Sequence, residues 1–365
     1  MFRQDLNFNL PQELIAQRPI HPRDHSRLLV FKRESQEITD DHFYNLDKYL
    51  HSGDVVVLNN SKVIPARLID DQNKEIFLIR ELKDHSWRCL TKYKGQFLVR
   101  FKGSSLVGRI YCSSVARTKK YRSSRLETSN SKIIKFNFRG RELWKELARI
   151  GEVPTPPYIS SHKKFLIMKK DFYQTIFAKE KGSVAAPTAG FHFTQKLVDK
   201  LKKRGVEFVF ITLHVGLGTF APIREERVEN HRMHAEYFVL SKKTAKILNQ
   251  AKKEGRRIVA VGTTATRVLE TCAITPPSPI NPRLPNFYLL KPQSGKTKIF
   301  IQPGYKFKFI DALITNFHFP HSTPLLLTGA FIDEKKGVKI LLSIYQKAIK
   351  KKYRFYSFGD AMLIL

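Results

Sequence analysis

The stretch Ile258-Val259-Ala260-Val261-Gly262-Thr263-Thr264-Ala265-Thr266-Arg267 decides the fold class. Its four apolar residues read as a short buried strand. Gly262 supplies a turn. Thr263 to Cys272 then reads as a helix whose first turn carries hydroxyls. A strand running through a tight turn into a helix is the repeating unit of α/β proteins. The same texture extends in both directions. Phe208 to Val215 is a second strand candidate. Before it, Leu197, Val198 and Leu201 recur at helical spacing over Thr194 to Arg204, with Gly205 placed for a C-cap. Ser241 is placed to cap another helix, with Leu248 and Ala251 inward and Gly255 beyond its end. Asp311 to Thr315 is a further strand. Val338, Leu341, Leu342, Tyr345 and Ile349 form one apolar helical stripe. Far upstream, Val55 to Leu58 is another buried strand, closed by the turn residues Asn59-Asn60-Ser61.

Between Arg67 and Gly151 the texture changes. Short runs rich in β-branched and aromatic residues follow closely: Ile76 to Leu82, Trp87 to Tyr93, Phe97 to Phe101, Val107 to Cys112 and Ile133 to Phe138. Glycines 95, 103 and 108 punctuate them. This pattern predicts an all-β, barrel-like module. Ser113 to Lys132 is polar and basic, and reads as a solvated loop in preference to an RNA-binding finger. Thr275 to Pro285 holds five prolines and reads as an extended loop. The expected architecture is a discontinuous α/β domain, residues 1–66 and 152–365, interrupted by an inserted β-barrel-like domain, residues 67–151.

At 365 residues the chain can bury a core without staples. Cys89, Cys112 and Cys272 form no C-x-x-C pair, which excludes a disulfide framework and a cysteine-cluster zinc site. Apolar runs fall far short of the roughly 20 residues of a membrane span, so a soluble cytoplasmic protein is expected. The formal net charge is +33. Such a field attracts polyanions, nucleic acid foremost. A lysine-rich genome would leave the same excess.

Several motifs could carry chemistry. His214-Val215-Gly216-Leu217-Gly218-Thr219-Phe220-Ala221 contains G-x-G-x-x-A, with Glu236 twenty residues after Gly216. A dinucleotide fingerprint needs a following helix with an apolar face. Pro222 and the polar run Arg224 to His234 offer none, so the glycines read as a turn or a close backbone approach to a ligand. At Thr263, Thr264 and Arg267, a helix start and a cation suit a carboxylate or phosphate; ordinary capping is the plainer reading. His192, between Phe191 and Phe193, is by default a core histidine. His234-Ala235-Glu236 is an H-x-E triplet, but without a P-C-x-x-C partner it is no zinc deaminase site. A histidine and a carboxylate there still suit acid–base work. Asn316 and His318 place an amide and an imidazole just after a strand. Tyr353 to Asp360 mixes aromatics with charge, as base-stacking segments do and as ordinary cores do.

Taken together, the chain resembles the S-adenosylmethionine:tRNA ribosyltransferase-isomerase family of queuosine biosynthesis. The matching segments run in the family's order. They begin with Asn59-Asn60-Ser61-Lys62-Val63-Ile64-Pro65-Ala66-Arg67-Leu68 and Pro154-Thr155-Pro156-Pro157-Tyr158-Ile159. Ala185-Ala186-Pro187-Thr188-Ala189-Gly190-Phe191-His192-Phe193 and Thr212-Leu213-His214-Val215-Gly216-Leu217-Gly218-Thr219-Phe220 follow. His234-Ala235-Glu236-Tyr237, Val259 to Thr264, Leu313 to Pro320 and Tyr353 to Met362 complete the series. The chain departs from the family's usual pattern at Gln302 (usually Tyr), Pro324 (usually Leu) and Lys296-Thr297-Lys298 (usually Trp-Thr-Asp).

The resemblance implies an α/β fold with an inserted β-barrel. It also implies transfer and isomerisation of the ribosyl part of S-adenosyl-L-methionine, a consumed co-substrate. The acceptor is 7-aminomethyl-7-deazaguanine at the wobble position of tRNAs for Asp, Asn, His and Tyr. The products are epoxyqueuosine, adenine and methionine. On this reading His214 or Glu236 is the expected base or acid, with His192 and His318 in reserve. Thr263, Thr264, Arg267 and Asn316 are expected to hold the co-substrate, Gly216 and Gly218 to admit it, and no metal is expected. The chain is expected to work as a monomer away from membranes. Two other readings remain at this point: a tRNA-binding relative without turnover, and a Rossmann-type methyltransferase.

Overall fold

A computed structural model describes residues 1–111, 131–156, 158–159, 170–216, 218, 222–275 and 288–365. Its centre is a mixed sheet of nine strands. From one edge these are Gln293–Thr297, Glu236–Leu240, Glu207–Leu213, Val55–Asn59, Ile258–Val261, Ala312–Asn316, Ala361–Ile364, Arg27–Phe31 and Ile38–His42. The four strands beginning at Glu207, Val55, Ile258 and Ala312 are mutually parallel. Segments from before residue 66 and after residue 206 therefore interleave in one sheet.

The central strands are covered on both faces, which explains their continuous apolar runs. Val55 and Val57 point into one core cluster, Val56 and Leu58 into another. Leu197, Val198 and Leu201 of the helix Gln195–Lys203 fill the second cluster. The helices Lys242–Lys253, Gly262–Cys272, Thr323–Ile332 and Gly337–Lys350 pack into the first. Ser241 caps its helix as the sequence predicts, and Thr194 caps the helix Gln195–Lys203, each accepting from a backbone N–H three residues on.

The inserted residues form a second, antiparallel sheet of six strands: Arg67–Ile69, Glu75–Glu81, Trp87–Thr91, Ser131–Phe136, Val107–Tyr111 and Phe97–Arg100. It is a half-barrel rather than a closed one. The Asp71 N–H donates to Arg100 O at 2.9 Å and ties its two ends. One element here departs from the all-β expectation. Gly140–Ile150 is a helix, and its Leu143 and Leu147 plug the half-barrel's core. Trp144 meets Trp87 edge-on, with ring centroids 5.6 Å apart.

Among the elements that pattern alone does not announce, three have clear physical reasons. Thr323–Ile332 is buried all round and has no amphipathic stripe to detect. Ala361–Ile364 and Arg27–Phe31 are short strands paired in parallel with each other, so the last residues of the chain close onto the first. Cys112, the basic stretch from Ser113 to Asn130 and the prolines at 276, 277, 279, 282 and 285 lie outside the described residues.

Candidate active site

Parallel strands end together at the carboxyl edge of the sheet, where α/β proteins collect ligands. Leu213, Asn59, Val261 and Asn316 are the four terminal residues there. Asn59 clamps Leu213: its Oδ1 accepts from the Leu213 and Ser61 N–H groups at 3.1 and 3.0 Å, and its Nδ2 donates to Leu213 O at 2.9 Å. Beyond this edge opens a cleft with two lobes, of about 540 and 650 Å³ with their mouths. Thr263, Thr264 and Pro324 line both lobes.

The floor shared by the lobes is the start of the helix Gly262–Cys272. Gly262 has φ +83°, a left-handed turn that a side chain resists. The threonines do not cap this helix, contrary to the plainer sequence reading. Val261 occupies the cap position, and no side chain bonds the first N–H groups. Such an end attracts anions. Two side-chain donors reinforce it. Arg267 forms an ion pair with Glu236 through Nη1, while its Nη2 is buried with no partner among the described residues. Thr264 Oγ1 is buried and equally unpartnered. Glu236 is 6% exposed, and its Oε1 accepts from the Gly216 N–H at 3.0 Å. Glu236, Thr263, Thr264 and Arg267 therefore meet in the first lobe, with Gly218 on its wall.

Gly218 lies so close to the His234 ring that a Cβ would sit 2.4 Å from its Cδ2. The close approach is thus made to a side chain of the chain itself. His234 also lines the lobe. It stands two residues before Glu236, the spacing that puts extended residues on one face. Of the described residues, none between 222 and 241 belongs to an α-helix, so the helix a Rossmann fingerprint requires is missing after Gly218.

Asn316, His318 and Thr315 line the second lobe. The Asn316 amide is fixed from three sides. Its Nδ2 donates to Tyr356 O and lies 3.2 Å from His192 Nε2, and its Oδ1 accepts from Thr188 Oγ1. Since a carbonyl can only accept, the NH2 must lie on that side, and His192 Nε2 is then the acceptor. Its Nδ1–H goes to Ser26 Oγ at 2.7 Å. Burial, helped by Arg354 and Arg23, lowers the His192 imidazole to about 3. It is neutral and fully bonded, and it orients Asn316 without facing the cleft itself. His318 Nε2 bonds Thr315 Oγ1 at 2.9 Å, and burial lowers this imidazole to about 3 as well.

His214 stands apart. Its ring stacks on Tyr237, with centroids 6.0 Å apart and planes 11° off parallel, and packs against Gly182. Tyr237 is 44% exposed and its neighbour Glu236 is buried, so the two point to opposite faces of their strand. The structure thus separates His214 from Glu236. Burial lowers the His214 imidazole, against a smaller upward pull from Glu180. The aromatic segment near the C-terminus is mostly core: Tyr353, Phe355 and Phe358 are buried, and Tyr356 reaches the second lobe.

Two of the departures from the family's pattern, Pro324 and Gln302, lie in or beside the first lobe. Pro324 falls in the first turn of the helix Thr323–Ile332, which Ser322 caps. An N–H there has no intrahelical acceptor to lose. Gln302 lies just past Ile299, Phe300 and Ile301, which line the first lobe, and its carbonyl accepts from the Tyr305 N–H at 3.0 Å. Among the described residues, no cluster of three or more His, Cys, Asp or Glu could hold a metal. No helix among them is long and apolar enough to cross a membrane.

A family model described as "Queuosine biosynthesis protein" matches residues 3–364. An S-adenosylmethionine:tRNA ribosyltransferase-isomerase of Thermoanaerobacter sp. (strain X514) is 44% identical over 374 residues, covering 100% of both chains. The protein of the same name from Thermotoga petrophila is 45% identical over 365 residues, covering 99% of each. The crystal structure of an S-adenosylmethionine tRNA ribosyltransferase from Thermotoga maritima is 35% identical, with a TM-score of 0.53. It matches 99% of this chain and 100% of that one.

Proposed function

The chain belongs to the queuosine biosynthesis family of S-adenosylmethionine:tRNA ribosyltransferase-isomerases, and from that premise we propose the reaction it carries out. The ribosyl part of S-adenosylmethionine is transferred to 7-aminomethyl-7-deazaguanine at the wobble position of tRNA and isomerised. Epoxyqueuosine forms, and adenine and methionine leave. The protein works in the cytoplasm as a monomer on tRNAs for Asp, Asn, His and Tyr. Its residues 1–66 and 152–365 make the catalytic domain, and 67–151 the inserted one.

The observation that carries this reading is the uncapped start of the helix Gly262–Cys272, with two buried donors left over. Arg267 and Thr264, whose Nη2 and Oγ1 are buried with no partner among the described residues, line a cleft at the carboxyl edge of the sheet. That set fits the carboxylate of the methionine moiety. When bound, S-adenosylmethionine supplies the ribosyl group and a sulfonium whose charge acidifies the adjacent C5′ protons. Glu236, ion-paired with Arg267, is the acceptor for such a proton. His318, neutral in the second lobe, is an acceptor and not a cationic donor at neutral pH. Asn316, oriented by His192, offers an amide to the nucleoside. The apolar walls, Ile299 to Ile301 and Leu327, exclude water from the reacting centre.

The test is direct. The purified protein is incubated with S-adenosylmethionine and tRNA carrying the aminomethyl-deazaguanine base, and the products are read by mass spectrometry. Adenine, methionine and an epoxyqueuosine nucleoside are expected together. S-adenosylhomocysteine in place of adenine would make the protein a methyltransferase. Salt-sensitive tRNA binding with no adenine would make it a non-catalytic relative.

A further inference from the structure

A basic face lies outside the cleft, where the half-barrel meets the edge strand Gln293–Thr297. Its members are linked by contact. Lys181 Nζ sits 4.7 Å over the Trp144 ring, joining the strand Glu180–Ser183 to the half-barrel's helix. The next residue, Gly182, abuts His214, which stacks on Tyr237. Tyr237 is registered opposite Lys296 on the edge strand. Arg80 and Arg88 stand opposite each other on neighbouring half-barrel strands. Their field reaches Lys296: burial lowers its ammonium, and Arg80, Arg88 and Lys298 lower it further. Lys296 and Lys298 are exposed and form no ion pair with a described residue. Glu180 is the acid that reaches His214 on this face. The face also adjoins the cleft, because Lys298 is followed by Ile299 to Ile301 on its wall, and Tyr237 by sequence adjoins Glu236.

We infer that this face seats the RNA backbone, with Lys296 and Lys298 taking phosphates and Tyr237 offering a stacking surface to a base. The inference rests on the reading of tRNA as substrate. Phosphates offset the mutual repulsion of the two lysines. An exposed ring fixed by a second ring behind it is a stacking platform. The seat delivers a splayed anticodon base over the Lys298–Ile299 rim into the first lobe.

The experiment measures binding of an unmodified tyrosine tRNA transcript by fluorescence anisotropy across a salt series. Lys296→Ala with Lys298→Ala is expected to weaken binding at least tenfold. It is also expected to flatten the dependence of log affinity on log salt by about 1.4 to 1.8, the share of two phosphates. Tyr237→Ala weakens binding by about tenfold, and Tyr237→Phe restores it. Lys347→Ala with Lys350→Ala, on the exposed side of the helix Gly337–Lys350, leaves both affinity and slope unchanged at about 150 mM salt and above. Parental affinity and slope in both the lysine pair and Tyr237→Ala would overturn the seat alone. A parent chain that binds no tRNA overturns the seat and the proposed function together. A parent that binds tRNA through these residues but releases no adenine supports the seat while overturning the proposed reaction.

Discussion

At the residue scale, Glu236 pairs with Arg267 while His214 stacks on Tyr237 at the other face of the strand, and the duties proposed for them differ accordingly. Glu236→Gln keeps the shape of the lobe and removes the carboxylate. A loss of more than about a hundredfold in kcat is expected, with tRNA affinity retained. His214→Ala removes the ring behind Tyr237, so the KM for tRNA should rise while kcat holds. Steady-state kinetics with both substrates varied separates the two. A large kcat loss in His214→Ala would return His214 to the chemistry. The buried histidines predict a pH dependence of stability. His192 and His318 hold a folded value of about 3 against an ordinary 6.5. Between those limits the unfolded chain takes up protons that the folded chain refuses, so acidification below about pH 6.5 destabilises the fold. The effect approaches about 1.4 kcal/mol per pH unit for each such proton. Above pH 6.5 both states are neutral and these residues add no dependence. His192→Gln should be less stable at pH 7.5 yet show a shallower decline to pH 5 in urea unfolding; parallel curves would remove His192 as a source. At this scale the sequence was legible for Glu236, Thr264 and Arg267, which the fold brings together from two elements. It was less legible for His234, whose place beside Gly218 depends on a turn that no periodicity encodes. His214 sat in the same motif as the cleft glycines, and only the alternation of a strand shows that its side chain leaves by the other face.

At the scale of elements, the helix Gly262–Cys272 organises the site, and its entry is the place to perturb it. Gly262 has φ +83°, and a Cβ there would lie 3.3 Å from Ala189 Cβ. Gly262→Ala should cost about 1–2 kcal/mol through the left-handed turn. It should also weaken S-adenosylmethionine binding, measured by calorimetry, because the free N–H groups are re-aimed. Gly255→Ala is a useful contrast: φ there is +70°, with open space around the Cβ and no cleft nearby, so stability falls without loss of ligand affinity. Equal ligand affinity in Gly262→Ala and the parent would remove the helix entry from the binding site. Pro324→Leu tests the neighbouring helix. Since the first turn needs no N–H from residue 324, thermal stability should move by no more than about 0.5 kcal/mol. Helices with one apolar stripe and a polar cap were readable in advance, as Gln195–Lys203 and Lys242–Lys253 demonstrate. Thr323–Ile332 was not, because an element apolar on every side has no face to give it a period. The helix Gly140–Ile150 was hidden by the strands that precede it, although Leu143 and Leu147 carry the spacing of a buried stripe.

At the scale of the whole molecule, the break in texture after Pro65 marked where one sheet is interrupted by another, and the nine-stranded sheet restores the continuity that the chain loses there. Strand order could not be read from pattern alone, since pairing the last residues with Arg27–Phe31 is a long-range event. The charge of +33 raises a question of the same scale: whether affinity for RNA comes from a diffuse field or from placed cations. Screening decides it. At physiological ionic strength the Debye length is about 8 Å, so cations far from the RNA contribute little. The strand Ala312–Asn316 lies five positions across the sheet from the edge strand Gln293–Thr297, about 24 Å at the usual strand spacing. The helix Gly337–Lys350 packs beyond it, where Tyr345 Oη accepts from the His318 N–H at 2.9 Å. Neutralising two lysines there and two on the edge strand removes the same net charge. If the field governs, the two double variants lose equal affinity at 150 mM salt. If placement governs, only the edge-strand pair does, and at 20 mM salt, where the Debye length is more than doubled, the distant pair begins to slow association as well. Stopped-flow association rates at the two salt concentrations give the answer, and the placed cations predict a dissociation rate that rises only in the edge-strand variant.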